Sequence, residues 1–303
     1  MNRKVLLGLG ALYILWGSTY LAVRYALESF PPLAMSSARF ATAGALLYWL
    51  TRSPKETVPL RYWLSASLVG FLLLVSGAGL IAWSEQIIPS GKAALLCASV
   101  PAWMALWEWA RPGGQRPSPG VLTGLALGSL GVGLLVVNPS LGAAQDGAQL
   151  SDAGGSALLS SLLILLASLS WSAGSLLSRS LPQPANSFRF SSMTMLTGSL
   201  FLALASWLSG EHWTGKAEPL SLLAWLYLVG PGSLAGLSLY TWLLRSAPPT
   251  LVSTYTYVNP LVAVALAWAV GETLPALLPV AGALVVLGVV FLSLAQRPRL
   301  ART

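Results

Sequence analysis

Polar chemistry is scarce in this chain. Charged residues make up 9% of its 303 residues while 55% are hydrophobic, and a soluble domain carries about a quarter charged residues. The one cysteine, Cys97, excludes an intramolecular disulfide framework and a cysteine-built zinc site. It falls inside an apolar run and reads as a small buried side chain. The one histidine, His212, stands beside Glu211 and Trp213 with no partner at metal-ligand spacing. No glycine-rich phosphate loop ending in Gly-Lys-Ser or Gly-Lys-Thr occurs, so direct coupling to ATP is excluded. Together these absences speak against an enzyme, a metal centre or a bound cofactor. The formal charge of +8 would suggest a nucleic-acid partner in a soluble protein. Here the basic residues sit between apolar runs, so the expected partner is the lipid bilayer instead.

What the chain does have is apolar runs long enough to cross about 30 Å of hydrocarbon. We read ten spans, at about 5–26, 33–51, 63–84, 91–110, 119–137, 157–178, 188–209, 220–243, 250–270 and 275–295. Proline and glycine punctuate them at Pro31-Pro32, Pro89-Ser90-Gly91, Pro112-Gly113-Gly114, Pro182-Gln183-Pro184 and Pro248-Pro249. The N-terminus has a signal-peptide look, with Arg3 and Lys4 before an apolar run. That run carries Trp16, Gly17 and Ser18, lacks a small-residue cleavage pattern and is followed by further spans, so it reads as an uncleaved first helix. With the N-terminus inside, only Arg24, Arg39, Lys92 and Lys216 of the 17 basic residues fall on the outer side. The positive-inside rule then puts both termini in the cytoplasm of a multi-pass inner-membrane protein. The longest loop holds Asp146 and Asp152 but no Lys or Arg, and reads as an external linker.

The linker divides the chain into similar halves. Trp16 and Arg24 match Trp171 and Arg179 at one common spacing, and Trp83, Pro89 and Pro101 match Trp242, Pro248 and Pro260 at another. Gly44 answers to Gly198, and Leu130-Gly131-Val132 to Leu287-Gly288-Val289. Five spans per copy, an odd number, force the second copy to insert upside down. The expected architecture is all-α: a five-helix repeat over 1–137, an external linker over 138–156, a second five-helix repeat over 157–295 and a basic cytoplasmic tail over 296–303.

The stretch from Thr250 to Thr273 is the most informative. Pro260 cannot donate to the carbonyl of Thr256, and an unpaired carbonyl in lipid has to face protein, water or a solute. Tyr255 and Asn259, four residues apart, share a face, and Tyr257 points roughly opposite. Tyr255 and Asn259 are the expected solute-facing pair, with Tyr257 packing on a neighbour. Span 1 places Tyr13, Trp16, Tyr20 and Arg24 on one face, and span 6 does the same with Ser168, Ser172, Ser175 and Arg179. Span 8 aligns Ser233, Gly236 and Tyr240 beyond a kink expected at Gly230-Pro231-Gly232. Span 4 sets Ser99 and Trp103 around Pro101. The candidate solute-binding residues are Trp16, Tyr20, Trp83, Ser99, Trp103, Trp171, Ser175, Tyr240, Tyr255 and Asn259. Serines and glycines also serve helix packing, and tryptophans also populate the interfacial belt, which is where Trp63, Trp213 and Trp225 are expected. Arg39 lies about two turns into span 2 and Glu85 at the outer end of span 3; a lone charge at depth is costly, so Glu85 is expected to pair with Arg39 or Arg24, as an outer gate, a proton carrier or a structural ion pair. Pro101 and Pro260 are the expected pivots. Glu108 is expected to pair with Arg111 or to snorkel.

The order of motifs resembles the EamA-type drug/metabolite transporters, and within them the YedA-like bacterial inner-membrane permeases. The matching residues are Trp16-Gly17-Ser18-Thr19-Tyr20, Ala38-Arg39-Phe40, Ser84-Glu85-Gln86, Tyr257-Val258-Asn259-Pro260 and Gly271-Glu272-Thr273. The resemblance implies ten helices in two inverted repeats around a cavity lined by spans 1, 3, 4, 6, 8 and 9. It also implies gradient-driven movement of small metabolites, usually outward. Gly113-Gly114-Gln115 stands where the second half has Gly271-Glu272, so Glu272 reads as a helix-end residue rather than a coupling site. The expected function is therefore secondary export of small metabolites, with amino acids suggested by the family and aromatic or amphipathic compounds by the rings. Two rivals stand beside it: proton-coupled efflux of cationic drugs, which the lack of an acid at the midplane disfavours, and a non-transporting scaffold or sensor. The chain is read as a monomer, with an oligomer left open.

Overall fold

In lipid the backbone must satisfy itself, which leaves helices as the available spanning element for a chain with runs of this length. A computed structural model describes residues 3–52, 57–88, 93, 96–111, 114, 116–137, 154–213, 215–269 and 278–295. All regular elements among them are helical. Most of the expected linker (138–153), the tail 296–303, the Pro89-Ser90-Gly91 turn and Gly271-Glu272-Thr273 lie outside the described residues.

The elements, in chain order, are α1 (Arg3–Gly17), α2 (Thr19–Leu27), α3 (Pro32–Thr51), α4 (Leu60–Gly70), a π-helical segment (Phe71–Gly79) and α5 (Leu80–Ser84). Next come α6 (Val100–Ala110), α7 (Pro119–Val137), α8 (Gly154–Ser180) and α9 (Ser187–Leu208). Then follow α10 (Pro219–Tyr227), a second π segment (Leu228–Ala235), α11 (Gly236–Ser246), α12 (Pro249–Val252), α13 (Tyr255–Ala269) and α14 (Leu278–Ala295). The helical stretches Arg3–Leu27, Leu60–Ser84, Leu158–Ser180, Ser187–Leu208 and Pro219–Ser246 are each long and apolar enough to cross a membrane.

Local chemistry sets the helix ends. Pro32, Pro219 and Pro249 open their helices, where a missing N–H loses nothing. The Asn186 side chain accepts from Phe188 N and Arg189 N at the start of α9. Interruptions fall where the chain turns inward. Ser18 breaks the first span and bonds back to Ile14 O and Leu15 O at 2.9 Å each. The kink expected at Gly230-Pro231-Gly232 is a full π segment with Pro231 inside it, because proline cannot keep the α ladder.

The broken helices differ from the sequence reading in one respect. Pro101 and Pro260 do not themselves mark the breaks. Pro101 sits in the first turn of α6, after a turn at Ala98-Ser99. Pro260 lies inside α13, and the ninth span is interrupted earlier, at Ser253-Thr254. The hydroxyls of Ser253, Thr254 and Thr256 return to Thr250 O, Leu251 O and Ser253 O at 2.7–2.9 Å. Three hydroxyls in four positions satisfy a broken helix end that apolar side chains would leave bare.

Helices pack in a pattern that survives exchange of the two halves. α3 lies along α9, and α7 along α14. α1 lies against α13, and α8 correspondingly against α6. Close approach depends on missing side chains: a Cβ on Gly44 would meet Met195 Cβ at 2.9 Å, and one on Gly198 would meet Leu74 at 2.7 Å. Gly124 and Gly288 do the same for α7 and α14, against Leu292 and the backbone of Gly128. Large apolar side chains cover the outside, among them Leu200, Leu208 and Trp207, the last 75% exposed, as a lipid-facing surface requires.

Candidate functional site

Four rings from both halves meet in the centre of the bundle. Trp16 lies edge-on to Trp171, with centroids 5.6 Å apart, and packs on Tyr240 and Tyr255 at 4.9 and 4.7 Å. Tyr240 in turn touches Trp171 at 5.6 Å and Tyr255 at 5.8 Å. Each such pair adds about 0.5–1.5 kcal/mol beyond area burial. Their polar edges are used. Trp16 Nε1 donates to Gly232 O at 3.0 Å, and Trp171 Nε1 donates to the Tyr240 hydroxyl at 2.9 Å. Ser175 Oγ is 2.6 Å from the same hydroxyl and bonds Trp171 O at 2.6 Å.

A cavity of about 130 Å³ rises from this cluster toward the end of the bundle marked by Glu85. Its wall includes Trp16, Tyr20, Arg39, Glu85, Cys97, Trp171, Tyr255 and Asn259. Elements α1, α2, α3, α5, α6, α8, α11 and α13 and the two π segments contribute to it. Of the residues expected to bind solute, Trp16, Tyr20, Trp171, Tyr255 and Asn259 face this space. Tyr240 and Ser175 are fully buried behind Trp171 and hold its edge. Trp83, Ser99 and Trp103 are not on the wall. Trp83 packs against the main core, and Ser99 Oγ returns to Leu96 O at 2.7 Å. Trp103, one turn into α6, has a buried Nε1 with no hydrogen-bond partner among the described residues. Pro101 and Pro260 are also off the wall, although their neighbours Val100 and Asn259 are on it. Tyr257 packs on α7: a Cβ at Gly128 would strike its ring at 2.6 Å, and its hydroxyl donates to Leu125 O at 3.3 Å.

Sequence reading missed several wall residues: Thr19, Ser36, Phe40, Cys97 and Thr256. Ser36, three residues before Arg39, shares its helical face, so spacing from that charge would have found it, and Phe40 follows from Ser36 at i+4. Cys97 carried no signal beyond its apolar run, yet its thiol lies beside the Tyr20 hydroxyl and Ser168.

Arg39 and Glu85 both line the cavity but do not pair with each other, which corrects the expected ion pair. Arg39 Nε donates to Ser233 Oγ at 2.5 Å, and its guanidinium lies 4.8 Å from the centre of the Phe40 ring. The cause is packing: α3 lies against the second π segment, which brings the Ser233 hydroxyl within reach. Glu85 Oε1 is sealed from solvent and has no hydrogen-bond partner among the described residues. Asn259 Oδ1 is likewise buried and unpartnered. Lack of a midplane acid was the argument against a cation-binding cavity; Glu85 puts a carboxylate on the cavity wall, but at the end of its helix rather than at the midplane. Glu108 departs from expectation too: its carboxylate pairs with Arg179 at 3.9 Å, from α8, rather than with Arg111. No group of three metal-ligating side chains occurs among the described residues.

A model of the EamA-like transporter family matches this chain twice, over residues 3–137 and 158–294. The Escherichia coli K12 protein called uncharacterized inner membrane transporter YedA is 36% identical over 290 residues, 94% of this chain and 89% of its own. The Bacillus subtilis protein called uncharacterized transporter YoaV is 21% identical over 223 residues, 71% of this chain and 72% of its own. A solved crystal structure superposes with a TM-score of 0.71 at 20% identity, covering 98% of this chain and all of that one. That last likeness bears on the fold alone.

Proposed function

The chain belongs to the EamA-like transporter family, and from that premise we propose that it is a secondary exporter of small metabolites working by alternating access. It is a multi-pass inner-membrane transporter and not an enzyme, as the family and its YedA relative indicate. The solutes are amino acids or aromatic and amphipathic compounds. Ten spans in two inverted repeats, with both termini in the cytoplasm, complete the reading.

One observation carries it. Trp16 and Trp171, equivalent residues of the two family matches, meet edge to face at the base of a cavity that both halves line. A solute site on the seam between two related halves is what rocking of one half against the other requires. Counterflow into liposomes holding the purified protein tests the proposal, with a panel of amino acids and organic cations at two pH values. Saturable exchange of at least one solute is expected, and absence of exchange for the whole panel would return the protein to the scaffold or sensor reading. Efflux of cations has Glu85 in its favour, but Arg39 on the same wall opposes a solute of net positive charge.

A further inference from the structure

A second hollow, of about 520 Å³, opens on the flank of the bundle between α6 and α7. These helices are consecutive in the chain but do not lie along each other: α6 packs on α8 and α12, and α7 on α14. The walls of the hollow are apolar, with Ala102, Ala105 and Leu106 from α6 and Leu122 and Leu125 from α7. Leu106 and Leu122 are exposed, so the groove opens outward rather than into the core. At one end stand the ring of Trp109 and the guanidinium of Arg116, 5.8 Å from the ring centre. Arg116, in the loop after α6, is exposed and meets no carboxylate and no hydrogen-bond acceptor among the described residues. The one acid of α6, Glu108, is engaged by Arg179 of α8 instead. An apolar groove open to the bilayer, with an unpaired cation at its rim, matches both parts of an acidic lipid.

We propose that this groove holds an anionic glycerophospholipid, its phosphate on Arg116 and one acyl chain along the alanines and leucines of α6 and α7. Ala102 and Ala105, three residues apart, share a helical face and leave the space that larger side chains would fill. A guanidinium meets phosphate oxygens through a planar fork, and tryptophan settles at the level of the headgroups. Basic pockets between spanning helices on the cytoplasmic side collect acidic headgroups in this way. A zwitterionic headgroup fits less well, because it brings an ammonium to a rim whose one charge among the described residues is a guanidinium. The site is separate from the central cavity and holds whatever solute the protein moves. It shares one element with that cavity: α6 carries Val100 on the cavity wall and Ala102 in the groove. A lipid seated here therefore lies between a wall of the cavity and the α7–α14 pair.

Native mass spectrometry of the purified full chain, released from detergent, tests the proposal with three probes. They are dioleoyl phosphatidylglycerol, dioleoyl phosphatidylethanolamine and sn-glycerol 3-phosphate, which has the phosphate and no chains. The intact protein should retain one phosphatidylglycerol about fivefold or more tightly than phosphatidylethanolamine, the factor that one basic residue near the surface contributes. It should not retain glycerol phosphate. These comparisons need no variant. Arg116→Gln should erase the preference between the two lipids, whereas Arg52→Gln, the loss of an exposed arginine outside the groove, should leave it whole. Ala102→Phe fills the groove from an exposed position and keeps the charge, and should weaken phosphatidylglycerol binding by a similar factor. Equal retention of the two lipids by the intact protein, or a preference that Arg116→Gln does not change, overturns the site. A preference lost equally in Arg52→Gln overturns it in favour of a general attraction to a basic face. Retention of glycerol phosphate, or full binding by Ala102→Phe, removes the groove from the account and with it the lipid.

Discussion

Among residues, the glycine of α11 that faces Trp16 shows how the site depends on an absent side chain. A Cβ on Gly236 would collide with Trp16 Nε1, the atom that donates to Gly232 O. Gly236→Ala therefore has to displace the indole and break that hydrogen bond. Overpacking of this kind destabilises by about 1–3 kcal/mol, and we expect a lower melting temperature in detergent together with severe loss of exchange. Unchanged exchange would mean that Trp16 is not needed where it stands. Tyr240→Phe isolates a different contribution. The ring and its packing stay, but Trp171 Nε1 loses its acceptor and is left buried, an effect of about 1–3 kcal/mol. Thermal unfolding measures it, and a shift smaller than 1 °C would show that the hydroxyl is dispensable. Sequence reading found the rings because Trp and Tyr repeat at helical spacing. It could not separate the ring on the wall from the ring behind it: Tyr240 and Tyr255 carry the same chemistry, and only the packing of Trp16, Trp171 and Tyr255 around Tyr240 leaves it fully buried.

At the level of elements, the link between the two halves includes a carboxylate that no pattern announced. Glu211, in the loop after α9, accepts Leu33 N on Oε1 at 3.0 Å and Ala34 N on Oε2 at 2.8 Å, and Ser206 Oγ donates to Oε2 at 2.8 Å. It thus satisfies orphan amides in the first turn of α3, a helix of the other half, where a negative charge also complements the helix dipole. Local capping signals look a few residues along the chain, and this partner is 178 residues away from Leu33. Glu211→Ala should destabilise the protein by about 1–2 kcal/mol, read as a lower melting temperature, with Glu211→Gln intermediate. Equal melting temperatures for all three would show that water serves those amides as well. The helices themselves were legible from apolar runs bounded by proline pairs. The π segments were half legible: Pro231 announced the second, whereas Phe71–Gly79 has no proline and offers only the weaker signal of Ser76-Gly77 and Gly79.

On the scale of the whole molecule, the pairing of helices repeats when the halves are exchanged, α1 with α13 answering to α8 with α6, and the α3–α9 and α7–α14 pairs mapping onto themselves. Duplication was readable because Trp16 and Trp171 keep their place relative to neighbouring residues. Depth was not, since Glu85 looks like a helix-end residue until α5 and the stretch holding Cys97 enclose it. In this arrangement the space lies on the Glu85 side of the ring cluster, and the rings close the way to the other side. If the termini are cytoplasmic, the Glu85 side is the outer face. Cys97, the single thiol of the chain, sits on that wall; it is only 4% exposed, so its labelling is slow and the side from which it is labelled, rather than the rate, is the readout. A small membrane-impermeant thiol reagent should then modify Cys97 in right-side-out vesicles and spare it in inside-out ones. Trp16→Ala, which removes the ring shared by three of the contacts, should make Cys97 reactive from both faces. Labelling of the unaltered protein from the cytoplasmic face alone would invert the proposed orientation, and equal labelling from both faces would mean that the rings do not close the path.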